Sequence, residues 1–296
     1  MTTFANIVDE VQSYLRSFVR DQELSTHLTA DITNVSIVIP VADTSVLSRG
    51  RIQIDDEIIW LDSADRQGTT ATAPPYGRGM DNSAAAAHTA GTRIVVQPLY
   101  PRVMVKSLVN QAITTIGAQL YGVKEVLLDP STSFIYEIPA EVQDVLSVQM
   151  TDITASGDVF YLRDWQLDRN APSTTSTTGK SLYIYDGAFR YPEQIVVKYS
   201  VDPLPLVENT DLFTASLLPA TSLDCVILLA ASRLLATAEA YNLQTRAVEA
   251  NTMDSKVQPG IGLSQSKYLY GLYSQRISEE RLRLLQGTVQ RSHYQR

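Results

Sequence analysis

Three histidines, one cysteine and a scatter of carboxylates are the side chains of this 296-residue sequence that could carry chemistry. His27, His88 and His293 lie nowhere within a helical turn of one another, and Cys225 cannot complete a tetrahedral zinc set with local spacing. The tightest carboxylate groups, Asp55-Asp56-Glu57 and Asp9-Glu10, fit a turn and a helix surface; acid–base work needs paired carboxyls in environments that separate their pKa values. No G-x-S-x-G elbow or P-loop spacing occurs, and Gly260-Ile261-Gly262 lacks a third glycine and follows no strand, so it reads as a linker. The expectation is a protein that is not an enzyme and has no cofactor or metal site. Cys225 sits in an apolar helical run, which predicts core packing; a lone cysteine excludes an intrachain disulfide and fits a reducing cytosol.

The elements that would position these side chains follow from periodicity. Phe4, Ile7, Val8, Val11, Leu15 and Phe18 recur at steps of three and four, predicting a helix over about 4–22. Val35 to Ile39, Ile52, Ile54, Ile58, Trp60 and Ile94 to Val96 are strand-like, with turn signals at Arg49-Gly50, Gln67-Gly68, Pro74-Pro75 and Ala90-Gly91, so 35–97 reads as a small β module. Helical spacing returns over 102–121, where Gly122 supplies a stop. Residues 134–138, 145–150, 159–162, 182–185 and 195–199 read as strands of a second β module, within 132–215. A third helix spans about 222–250, capped by Thr221 or Ser222 and apolar around more than half its circumference.

The fold class expected is therefore α+β. The three helices, with flanking residues 1–34, 98–131 and 216–250, would form a helical core by burying their stripes against each other. The two β modules would be insertions, and 251–296 a hinged C-terminal arm, one further helix past Pro259-Gly260.

With 44% hydrophobic and 19% charged residues the composition is that of a folding chain rather than a disordered one. No run approaches the roughly 18 consecutive apolar residues of a membrane span. The first residues lack the basic region of a secretory signal, so a membrane or exported protein is not expected. The net charge of −8 is unevenly placed: Ser264 to Arg296 holds six basic residues against two acidic ones, leaving a body of −12. An acidic body with a basic tail suits a tail that meets an acidic surface or nucleic acid. Tyrosine numbers 15. In the arm, Tyr268 and Leu272 share a face, as do Leu269 and Tyr273, so all four read as anchors for another protein.

Ile52 to Leu61 with its Ile54-Asp55-Asp56-Glu57 core, then Arg78-Gly79, then Ala84 to Thr92 with Ala87-His88-Thr89-Ala90-Gly91-Thr92, resembles a pattern of tailed-phage virion proteins. That pattern is a strand with I-D-x-E, then R-G, then an alanine-rich run with A-H-x-x-G-T. The chain departs from it after Gly79, where Met80-Asp81 replaces the G-T that often follows. Physically, Arg78-Gly79 makes a tight turn and His88 is a structural hydrogen-bonder. The resemblance implies a head-to-tail connector (adaptor) of the phage neck, a structural virion protein assembled in the host cytoplasm. It implies a homo-oligomeric ring, a dodecamer in that family, below the portal protein and above downstream neck or tail proteins. DNA would pass through its channel without specific binding. The portal interface would comprise Tyr268, Leu269, Leu272, Tyr273, Arg281, Arg283, Leu284, Leu285, Arg291, Tyr294 and Arg296.

Two other readings stay open. A tail or baseplate protein could bind host saccharide through its β modules, with Trp60, Trp165 and tyrosines as stacking platforms. A hydrolase using Asp55 and Glu57 has the least in its favour.

Overall fold

The computed structural model describes residues 2–16, 23–65, 68–129, 134–152, 159–185, 193–248 and 261–287. The chain divides into two compact units: Ala5–Gln111 with Ile227–Gly271, and Met1–Phe4 with Ala112–Val226 and Leu272–Arg296.

In the first of these units, helix α1 (Phe4–Arg16) buries Ile7, Val8, Val11 and Leu15, the three-and-four stripe of its sequence. Residues 17–22 of the expected helix lie outside the described residues. Seven short strands follow: β1 (Ser25–His27), β2 (Val38–Pro40), β3 (Gly50–Ile54), β4 (Glu57–Leu61), β5 (Ser63–Ala64), β6 (Thr70–Thr72) and β7 (Arg93–Val96). They form two antiparallel sheets, in the orders β1-β7-β3-β4 and β2-β6-β5. The first sheet begins earlier than expected, because Ser25–His27 pairs with β7. Isoleucines of β3, β4 and β7 fill a core with Leu28, Ile39, Val41 and Leu61. A two-residue turn, Asp55-Asp56, joins β3 to β4, with Asp55 at φ 50°.

Helix α2 (Arg102–Ile116) starts behind Pro101, whose missing N–H costs nothing at a helix start. It ends five residues before its expected limit, in a tight turn closed by Leu120 N–H on the Ile116 carbonyl. Gly122 opens a strand instead of stopping the helix, and a Cβ there would lie 2.7 Å from Leu217 Cβ.

In the other unit, the strands are β8 (Gly122–Leu128), β9 (Ile135–Glu137), β10 (Asp144–Asp152), β11 (Val159–Leu162), β12 (Trp165–Asp168), β13 (Ser181–Ile184) and β14 (Glu193–Val201). They make two further antiparallel sheets, β11-β10-β14-β8 and β12-β13-β9. Their core contains Tyr136, Val148, Leu182, Ile184, Ile195 and Val197. Two strands were not expected from the sequence, β8 and β12. In β8 the exposed Val123, Glu125 and Leu127 alternate with the half-buried Lys124, Val126 and Leu128, so both faces mix apolar and charged residues and no apolar-polar alternation shows in the sequence.

Helix α3 (Leu223–Val248) and helix α4 (Ile261–Gly287) complete the fold. By length and composition Ala220–Thr237 could cross a membrane, but Cys225, Val226, Leu229, Leu234 and Leu235 are buried inside the protein.

The expected helical core with two inserted β modules and a projecting arm is corrected. The fold is a mixture of four helices and four antiparallel sheets among the described residues, and both units contain sheets together with stretches of helix. Helical periodicity shows that a face is buried without showing what buries it, so stripes on three helices do not amount to a common core. The arm fails for a related reason. Ser266 donates to the Ser232 carbonyl at 2.7 Å, and Thr221 donates to Glu280 at 2.6 Å, so α4 lies along α3 of its own chain at both of these levels. The glycine of the expected hinge, Gly260, lies outside the described residues.

Candidate functional site

The hairpin of β3 and β4 sets two carboxylates, with only Asp56 between them in sequence, in opposite environments. Asp55, in the turn, keeps an exposed side chain, whereas Glu57, the first residue of β4, is sealed from water. A buried carboxylate survives only if it is paired and hydrogen-bonded, and Glu57 accepts five donors. Arg78 supplies two in a fork, Nε to Oε1 at 2.7 Å and Nη2 to Oε2 at 2.8 Å. The backbone amides of Gly79 and Ala86 supply two more, at 3.0 and 3.1 Å. The fifth is His88 Nε2, 2.9 Å from Oε2.

Arg78 is just as fully engaged. Its remaining N–H groups donate to the carbonyls of Thr33 and Ser36, both at 2.8 Å, and of Ala86 at 2.7 Å, so all five donors are used. His88 Nδ1 lies 2.9 Å from Asp55 Oδ2, so each ring nitrogen faces a carboxylate. Only the imidazolium can donate from both. The two acids and two bases then cancel in charge.

The pKa directions agree with this geometry. Burial alone would raise Glu57, but the hydrogen bonds from Arg78, His88, Ala86 and Gly79 outweigh it and hold the carboxyl at about 2. Burial alone would lower His88, but the hydrogen bonds to Asp55 and Glu57 and their charges lift it to about 9.

Local backbone geometry makes the cluster possible. Gly79 sits at φ 62°, and Asp81 and Asn82 follow at 54° and 64°, turning the chain so that the Gly79 amide faces Glu57. The same segment covers the outer edge of β4: Trp60 N–H donates to the Gly77 carbonyl, and Ile58 N–H to Ser83 Oγ. Beyond the turn, Asp56 faces Arg102 at 3.0 Å and Lys106 at 2.6 Å, and Arg102 also pairs with Asp9 of α1.

Four charged residues of the phage-like pattern, Asp55, Glu57, Arg78 and His88, thus meet in one place, while Asp56 turns to Arg102 and Lys106. Periodicity gave no warning of this, since it treats Asp55-Asp56-Glu57 as a turn. The available signal was compositional: Asp55, Asp56, Glu57, Arg78 and His88 stand in motif segments whose other residues are mostly apolar, glycine or alanine. The arrangement positions the chain and offers no lone pair of Glu57 and no N–H of Arg78 to a substrate. Among the described residues no group of three or more His, Cys, Asp or Glu side chains could hold a metal.

The predicted portal-facing residues separate into sets. Leu269 and Tyr273 are buried, with Ile277 and Glu280 on the same stripe. Tyr268 and Leu272 are exposed, on a face turned away from that stripe; Arg281, Arg283 and Leu285 are also exposed, and Leu284 is half-buried. Arg283 lies 3.7 Å from Glu280, which Thr221 and Arg276 also contact. Arg291, Tyr294 and Arg296 lie outside the described residues. Trp60 and Trp165 are both half-buried in strands. Cys225 is sealed, and burial first, then the nearby Glu280, pushes its thiol up to about 11.

No family model and no curated protein matches this chain.

Proposed function

We propose that this chain is a structural head-to-tail adaptor of a tailed phage, forming a homo-oligomeric ring below the portal protein. The observation carrying the proposal is the closure of the motif: Asp55, Glu57, Arg78 and His88 are separated by up to 33 positions yet pair with one another, and the remaining hydrogen bonds of Glu57 and Arg78 go to the surrounding backbone. A pattern whose charges are all spent internally specifies a scaffold, which is the role of the virion modules that the motif resembles. The acidic body, net −12, would keep a DNA channel from retaining its cargo. Contact with the portal falls to the exposed side of α4, with Tyr268, Leu272, Arg281, Arg283 and Leu285, and to the basic residues beyond it. Leu269 and Tyr273 serve the fold.

The test is the assembly state. Mass photometry or negative-stain electron microscopy is expected to reveal discrete rings, alone or after addition of the cognate portal protein. A strict monomer under both conditions would refute the adaptor role.

One observation favours a second reading, a tail or baseplate protein that binds host saccharide. Tyr183 of β13 and Tyr185 just beyond it stack at 6.4 Å and 17°, and Tyr185 is exposed. Such rings are platforms for sugar faces. Hits on a glycan array that vanish in Tyr185→Ala would select this reading over the adaptor.

A further inference from the structure

The two four-stranded sheets, β1-β7-β3-β4 and β11-β10-β14-β8, treat their edges differently. An edge strand presents a row of unpaired N–H and C=O groups, and stable proteins cover, shorten or charge it. In the β1-β7-β3-β4 sheet the edge at β4 is covered by residues 77–83, as described above. Among the described residues the β11-β10-β14-β8 sheet has no such backbone cover. Strand β8 makes its backbone hydrogen bonds to β14 and β11 makes its own to β10, and among the described residues neither outer edge has a backbone partner.

The side chains at these edges are those that coverage normally hides. On β11, Val159, Phe160 and Tyr161 are three consecutive large residues, 48%, 53% and 51% exposed. On β8, Val123 and Leu127 are exposed. The charges that could guard β8 are neutralised within the chain: Lys124 pairs with Glu141 and Glu125 with Lys198, each at 3.0 Å. Neither strand contains proline.

We infer that β8 of one copy pairs with β11 of the next, continuing this sheet from subunit to subunit in a head-to-tail contact. The strand directions allow it. Each neighbouring pair in the sheet is antiparallel, so β8 and β11 run in opposite senses, and a translated copy would set its β8 antiparallel to β11. The faces also agree. The register aligns Leu127, Val196, Gln149 and Tyr161 in one row on the open face, and Val126, Val197, Val148 and Leu162 in one row on the core face. Pairing in phase therefore extends the core-facing row with Val126 of the next copy and covers Phe160. A foreign strand would need only one bare edge; two bare edges at opposite ends of one sheet are the pair of complementary faces that a heterologous self-contact requires.

The contact rests on the sheet alone and stands apart from the adaptor role. Two full-length variants test it, Leu127→Cys and Tyr161→Cys, each altering an exposed side chain. Each is treated with a short bis-maleimide at a concentration where the wild type associates, separately and then mixed. The buried Cys225 is controlled by treating the wild type. The expected result is a covalent dimer in the mixture that neither variant forms alone. Dimer from Tyr161→Cys by itself would mean symmetric pairing of β11 edges and would overturn the inference. Absence of adduct in the mixture would also overturn it; if the wild type still forms rings under those conditions, the adaptor reading survives and only the β8–β11 contact is lost. A wild type that never associates, either alone or with the portal protein, refutes both.

Discussion

Glu57 and Arg78 face each other as a two-bond fork inside the β3–β4 sheet region, at 2.7 and 2.8 Å, with both side chains nearly sealed from water. The pair is 21 positions apart in sequence, and it anchors the turn that carries Gly79 as well as the strand that carries Glu57. Its energetic meaning lies in its removal. A matched buried pair adds little relative to an apolar substitute, but a single survivor left in a dry site is strongly unfavourable.

Glu57→Ala is accordingly expected to destabilise the fold by about 3–5 kcal/mol, because it leaves buried Arg78 without its carboxylate, takes one of the two carboxylates from His88 and leaves the Gly79 and Ala86 amides unpaired. Arg78→Lys is expected to destabilise it too, since an ammonium offers three donors where five are used and cannot form the fork. Urea unfolding midpoints at neutral pH measure both. A loss below about 1 kcal/mol in Glu57→Ala would mean that the cluster is not a structural centre.

The cluster also predicts a pH dependence. His88 is held at about 9, above its ordinary 6.5, so its contribution to stability is complete below about pH 6.5 and is lost as the pH rises through about 9. Glu57 is held at about 2, below its ordinary 4.5, so its contribution is complete above about pH 4.5 and is lost as the pH falls through about 2. Wild type should lose stability between pH 7 and 9, and His88→Gln should lack that slope while being less stable at pH 7. Equal slopes in the two proteins would contradict a charged His88.

The two faces of α4 are expected to behave oppositely. Leu269→Ala removes a buried side chain and should cost about 2–5 kcal/mol. Tyr268→Ala, one residue away and exposed, should stay within about 0.5 kcal/mol. If the outer face meets the portal, portal capture in a pull-down should fall with Tyr268→Ala although the protein remains folded.

Gly79→Ala tests the backbone. Its φ of 62° disfavours a side chain, and a Cβ would lie 3.0 Å from Ala85 N and 3.1 Å from the Ser83 carbonyl oxygen. A cost of about 1–3 kcal/mol is expected in thermal or urea unfolding. Gly91→Ala, at φ 86° with open space around it, should show the conformational part alone and so cost less.

Patterns of local periodicity determined a good share of this protein. The stripe of Ile7, Val8, Val11 and Leu15 is buried, the helix behind Pro101 begins where its proline allows, and Cys225 lies in a buried helical run. These are consequences of spacing along one element, which a linear reading contains. What surrounds each element depends on chain segments far away, and there the sequence reading failed: the helices do not form a separate core, Leu269 and Tyr273 turn inward, and Gly122 begins a strand. Only the tertiary structure decided that Asp55, Glu57, Arg78 and His88 share one site. Periodicity registers apolar faces, whereas a buried ion cluster is made by turns and left-handed residues that bring opposite charges together across tens of positions.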